Sequence, residues 1–171
     1  MKRTILSFET TLNAVDFMEG IEVADTMQPV QSVAIIGAGN MGSGIAQKTA
    51  QEEFDVQMVD RESQWVERGQ SIIANFLDEA VERRIFSPSQ VDGIKGRITS
   101  VVGVDQTAEN TDLVIEAVFE DFDVKTAVFT TLDKACGPDT IFASNTSSLS
   151  VNALADATGR PDRFVGLHFF Y

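Results

Sequence analysis

From residue 31 onward, short apolar runs alternate with longer amphipathic ones. Residues 32–36 (SVAII) are apolar and β-branched, which predicts a buried strand. A glycine cluster over 37–44 follows. Ile45 and Thr49, four apart, predict a helix over 45–51. Residues 55–59 (DVQMV) read as a second strand ending at Asp60. Ser63 is placed to cap a long helix reaching about Arg84. Its apolar stripe would be Trp65, Ile72, Ile73, Phe76, Leu77, Ala80 and Val81. Ser87 before Pro88 predicts a short helix with serine at the cap and proline at the first helical position. Further strands are expected over 98–104, 112–118, 140–144 and 163–170. Helices are expected over 121–135, stopped by Gly137-Pro138, and over 151–157. This alternation predicts an α/β fold: a mainly parallel sheet with helices on both faces.

Residues 1–29 break the pattern. They are polar-rich, carry a net charge of −3 and end at Met27-Gln28-Pro29. Phe8, Leu12, Val15 and Phe17 have weak helical spacing, so an N-terminal extension is expected, either a short helix or a disordered segment. The α/β domain would then span 30–171. No apolar run follows Met1-Lys2-Arg3, because Thr10, Thr11, Asn13, Asp16 and Glu19 interrupt it, so no secretory signal is expected. Nor is there an apolar stretch of about 18 residues to cross a membrane.

Composition narrows the function classes. A chain of 171 residues with 43% hydrophobic and 23% charged residues fits one globular domain with a short appendage. Thirteen basic against 26 acidic residues leave a net charge of −13, which argues against nucleic acid or an anionic membrane as partner. The acids are not spread evenly. Residues 98–139 hold nine acids and two bases, whereas 61–97 hold six of each. One cysteine, Cys136, and one histidine, His168, allow neither an internal disulfide nor a Cys/His zinc cluster. A reducing, cytoplasmic setting is the expectation.

Gly37-Ala38-Gly39-Asn40-Met41-Gly42 is a G-x-G-x-x-G between an expected strand and an expected helix. Gly37 would permit the tight turn, Gly39 the close approach of a pyrophosphate, and Gly42 the packing of helix on strand. The phosphates would sit on the helix N-terminus, where free N–H groups and the dipole favour anions. Asp60, 23 residues after Gly37, can accept hydrogen bonds from a ribose and would repel a 2′-phosphate. That favours NAD over NADP, although Arg61 follows directly and an arginine can pair with a phosphate. A glycine turn without ligand is the competing reading.

Four other groups are candidates for chemistry. Ser144-Asn145-Thr146-Ser147-Ser148 follows a strand, at the edge where open α/β sheets bind ligands; it reads equally well as a helix cap. His168 lies in an apolar run. Pattern alone favours a hydrogen-bonded core residue, while its chemistry suits a general base for alcohol oxidation. Glu116, Glu120, Asp121 and Asp123, with Lys125 after them, read as a helix N-terminus dressed with acids. Arg83 and Arg84 read as compensation of a helix C-terminus.

Four segments, VAIIGAGNMGSGIA (33–46), DLVIEAVFEDFDVK (112–125), ASNTSSL (143–149) and RFVGLHFF (163–170), resemble in order and spacing the NAD-binding domain of the L-3-hydroxyacyl-CoA dehydrogenases. Bifunctional fatty-oxidation proteins and 3-hydroxybutyryl-CoA dehydrogenases share this domain. The resemblance implies a doubly wound, Rossmann-like fold and NAD-dependent interconversion of 3-hydroxyacyl-CoA and 3-ketoacyl-CoA, in β-oxidation or butanoate metabolism. It implies that Gly37, Gly39, Asn40, Met41 and Gly42 line the pyrophosphate and that Asp60 binds the adenine ribose. Val118, Phe119, Glu120 and Lys125 would follow the nicotinamide half. Ser147 would contact cofactor and substrate, His168 would be the catalytic base, and Arg83 would face CoA. Phe76 stands where some members have a substrate-facing serine, and Tyr171 where the family usually has Asn or Ser.

The family's orienting glutamate and its helical dimerisation domain lie further along than residue 171. On this resemblance the chain is the dinucleotide half of a homodimeric enzyme and has little turnover alone. A non-catalytic NAD-binding module and another Rossmann hydroxy-acid dehydrogenase are the alternatives.

Overall fold

The computed structural model describes residues 29–170. The expected N-terminal extension and the departure at Tyr171 fall outside these residues, apart from Pro29. The chain runs β1 (Ser32–Ile36), α1 (Asn40–Gln51), β2 (Asp55–Asp60), α2 (Ser63–Glu82), α3 (Pro88–Gly96) and β3 (Ile98–Val102). It continues through β4 (Leu113–Glu116), α4 (Phe122–Ala135), β5 (Ile141–Ser144), α5 (Val151–Asp156) and β6 (Phe164–Gly166). The six strands form one sheet in the order β3-β2-β1-β4-β5-β6, and every neighbouring pair is parallel. This is the doubly wound Rossmann-like arrangement, with its switch point between β1 and β4.

Two-residue periodicity in β1 explains the layers. Val33 and Ile35 face a core with Ile45, Met58, Ile73, Leu77 and Ile115, built under α1 and α2. Ala34 and Ile36 face the opposite core with Val59, Phe129, Leu132, Phe142 and Leu154, under α4 and α5. A strand covered on both faces can be apolar throughout, as SVAII is. Asp112 pins the register at the start of this pair. Its Oδ2 accepts the N–H groups of Gln31 and Ser32 at 2.9 and 2.8 Å and the Ser32 hydroxyl at 2.9 Å. Burial pushes that carboxyl up, but these donors outweigh it and hold its pKa below the ordinary value.

Three expectations about the helices are corrected. The first helix begins at Asn40, inside the glycine cluster, not at 45. Ser63 is the first residue of α2, and the capping position is Glu62, whose side chain makes no cap bond. The buried stripe of α2 is Val66, Gly69, Ile73, Leu77 and Ala80; Trp65 and Phe76 are exposed. Ser87 does cap α3, in a reciprocal capping box with Gln90 and with Pro88 at the helix start. Among the described residues no helix is long and apolar enough to cross a membrane.

Candidate functional site

Because all strands are parallel, the loops that follow them gather along one sheet edge. Four of these loops hold most of the candidate residues. The first is the glycine loop. Gly37 has φ +105°, where only glycine is unstrained, and an added Cβ would lie 2.7 Å from the Ala117 carbonyl oxygen. At Gly42 a Cβ would lie 1.8 Å from the Gly37 oxygen, so α1 packs on the loop only without one. At Gly39 a Cβ would meet nothing within 4 Å; the space above the helix start is open. Gly39 caps α1 without a side-chain bond, and the first turn contains no acid. The N–H groups at Asn40, Met41 and Gly42 are therefore free of intrahelical acceptors, at the positive end of a 12-residue helix. This is a seat for an anion, and it fits a pyrophosphate. Two alanine variants separate the roles. Gly42→Ala should unfold more readily by several kcal/mol, since backbone must move. Gly39→Ala should unfold as the parent does and bind NAD at least about tenfold more weakly, read by urea denaturation and calorimetry.

Asp60 ends β2 beside this loop. Its Oδ2 accepts the Ala38 N–H at 2.8 Å and its Oδ1 the Arg61 N–H at 2.7 Å. The carboxylate therefore braces the glycine loop. The Arg61 guanidinium pairs with Glu62 at 3.2 Å rather than with Asp60. One contributor escaped the sequence reading: Gly69 of α2. A Cβ there would come within 2.9 Å of Ala38 Cβ and 3.0 Å of its carbonyl oxygen, so the helix presses directly on the loop.

The β4 and β5 loops are tied through buried charge. Glu116 and Lys125 are both 0% exposed, with Lys125 Nζ 2.6 Å from Glu116 Oε1 and 3.1 Å from Glu120 Oε2. Glu116 also accepts the Val118 N–H at 2.8 Å and the Ser144 hydroxyl at 2.6 Å. Glu120 Oε1 accepts the hydroxyls of Thr146 and, at 3.0 Å, Ser148. Lys125 thus reaches the edge through Glu120 and not as an open side chain. Phe119 is 81% exposed beside Glu120, and Val118 is half-buried. Ser147 is exposed between Thr146 and Ser148. Glu116, expected only as part of an acidic helix start, and Ser144, expected as ligand contact or helix cap, are the anchors of this network.

Burial raises the Glu120 carboxyl, but the Thr146 hydroxyl, the Lys125 ammonium and Ser148 together hold it at about 2, against an ordinary 4.5. A depressed pKa gives stability that is present above the unfolded value and lost as pH falls. The urea midpoint should therefore fall between about pH 4.5 and pH 2. Glu120→Gln should flatten this dependence in part, since Asp112 contributes its own share.

The last loop holds His168. The strand stops at Gly166, not at 170, and the imidazole is exposed, so it is not a core residue. Its neighbours are pinned: the Leu167 N–H donates to the Ser144 oxygen at 3.0 Å and the Phe169 N–H to Asn145 Oδ1 at 2.7 Å. The Phe170 ring stands edge-on to the imidazole at 4.5 Å. Arg83 is the candidate not brought here. It caps the C-terminus of α2, paired with Glu79, about 21 Å along the helix from Gly69.

The model of the 3-hydroxyacyl-CoA dehydrogenase NAD-binding domain matches residues 32–171. A probable 3-hydroxybutyryl-CoA dehydrogenase of Bacillus subtilis is 40% identical over 140 residues, covering 82% of this chain and 48% of that protein. The mitochondrial hydroxyacyl-coenzyme A dehydrogenase of Sus scrofa is 39% identical over 146 residues, covering 82% and 46%. The crystal structure of (S)-3-hydroxybutyryl-CoA dehydrogenase from Ralstonia eutropha superposes with a TM-score of 0.79 at 38% identity, covering 82% of this chain and 50% of that one. The chain thus spans about half the length of these relatives. With the glycine loop, the acid at the end of β2 and the matched residues in hand, the chain belongs to the 3-hydroxyacyl-CoA dehydrogenase family, as an NAD-binding domain of that family.

Proposed function

We propose that this domain serves the oxidation of a 3-hydroxyacyl-CoA, or its reverse, with His168 as the general base. The observation that carries the reading is the position of His168: exposed at the carboxyl edge, on a segment fixed to Ser144 and Asn145. When bound, NAD supplies the acceptor for the hydride leaving C3 of the substrate. The chain's residues do the rest. Asn40, Met41 and Gly42 hold the pyrophosphate with Gly39 giving clearance, and Asp60 takes the adenosine ribose. Phe119 and Glu120, the latter held by Lys125, border the nicotinamide half. His168 removes the hydroxyl proton, which alcohol oxidation requires as the hydride departs. Ser147, exposed on the β5 loop, hydrogen-bonds the reacting oxygen. Arg83, remote from this edge, meets the nucleotide end of CoA.

Among the described residues no carboxylate is hydrogen-bonded to His168, and such a base normally needs an orienting group. The 171-residue chain is therefore expected to bind NAD but to reduce acetoacetyl-CoA slowly. Joined to the second half of the Bacillus subtilis relative, it should turn acetoacetyl-CoA over with NADH and prefer NADH to NADPH. A joined protein that folds and binds NADH yet leaves acetoacetyl-CoA untouched would contradict the reading.

A further inference from the structure

We propose that the Glu116–Lys125–Glu120 triad biases the cofactor seat towards the oxidised dinucleotide, because its excess negative charge favours the cationic nicotinamide ring of NAD⁺ over the neutral ring of NADH. The inference rests on the NAD reading above and deepens it.

The charge count is direct: two carboxylates against one ammonium leave −1. Glu116 faces three donors, the Lys125 ammonium, the Val118 N–H and the Ser144 hydroxyl, a set that an acceptor-only carboxylate satisfies. Glu120 likewise faces the Thr146 and Ser148 hydroxyls and Lys125. Among the described residues no second lysine or arginine pairs with either carboxylate. The positive end of α4 does not cancel the excess. Asp121 caps that helix, accepting the Val124 N–H at 3.0 Å, and Asp123 adds another acid in its first turn. Glu116 and Lys125 are fully buried, so water screens this charge less than it would a surface pair.

Topology puts the ring beside it. The pyrophosphate belongs at the start of α1, after β1, and Asp60 at the end of β2 marks the adenosine side. A dinucleotide crossing the switch point must then place its other half over the ends of β4 and β5, the loops that Glu120 joins. A single, partly screened charge nearby changes affinity for a cation about threefold to tenfold.

Dissociation constants for NAD⁺, NADH and ADP-ribose, measured by calorimetry on the chain and on its Glu116→Gln and Glu120→Gln variants, test this. Each variant should bind NAD⁺ about threefold to tenfold more weakly relative to NADH. ADP-ribose, which has no nicotinamide ring, should bind each variant as it binds the parent. An unchanged NAD⁺-to-NADH ratio, or equal losses for all three ligands, would overturn the proposal and leave the triad a packing role. Should Glu116→Gln fail to fold, Glu120→Gln decides, since that side chain reaches the surface. A parent chain that binds none of the three would overturn the NAD reading itself, and the inference with it.

Discussion

Replacing His168 with glutamine in the joined protein should lower kcat for acetoacetyl-CoA by about 10²–10⁴-fold, the usual contribution of a positioned acid–base group. Glutamine keeps polarity and approximate length but cannot take and return a proton. The fold should not notice, because the side chain is exposed and the bonds that fix its segment run through the N–H groups of Leu167 and Phe169. NADH binding should be unchanged, so the loss falls on kcat and not on cofactor affinity. A variant keeping more than about a tenth of parental turnover would remove His168 from the proton transfer.

Replacing Lys125 with methionine should cost about 3–5 kcal/mol of stability, because it strands buried Glu116 without its cation. Small domains unfold with only about 5–15 kcal/mol, so this one substitution would consume a large share. The donors left to Glu116 are the Val118 N–H and the Ser144 hydroxyl, too few to replace an ammonium at 2.6 Å. Glu120 would lose its cation as well, freeing the bridge from the β4 loop to Thr146 and Ser148. Removing both charges of the buried pair, Lys125→Met with Glu116→Leu, should recover part of the loss. Urea unfolding followed by circular dichroism measures both. A loss below about 1 kcal/mol for Lys125→Met would show that the pair does not hold the two loops.

Much of this was readable in the chain. Covered on both faces, β1 and β4 read as continuous apolar runs, and the glycine spacing marked the tight loop that leads into α1. What was missed has physical reasons. Gly69 is buried on α2 against Ala38, but a glycine adds nothing to a hydrophobic stripe, so the pattern drifted to Trp65 and Phe76. The last strand read as reaching residue 170 because its apolar residues continue. Pairing ends sooner, since β6 lies at the edge of the sheet among the described residues and its neighbour, β5, stops at Ser144. That early stop is what turns His168 out of the core. The Glu116–Lys125 pair was hidden because the acids around it read as a solvated helix start. Ser144, whose hydroxyl donates to Glu116, is 28 residues from it and meets it only through strand pairing. Local spacing carries no trace of such a contact.

The chain contains one histidine, so the proton spectrum of its imidazole belongs to His168 alone. Titrating the protein with NAD and separately with ADP-ribose asks directly whether the nicotinamide end lies at this residue. Saturating NAD should shift the His168 ring resonances, while ADP-ribose, which lacks the nicotinamide ring, should leave them in place. Equal shifts with both ligands, or none at saturating NAD, would contradict the placement of the reacting ring at His168.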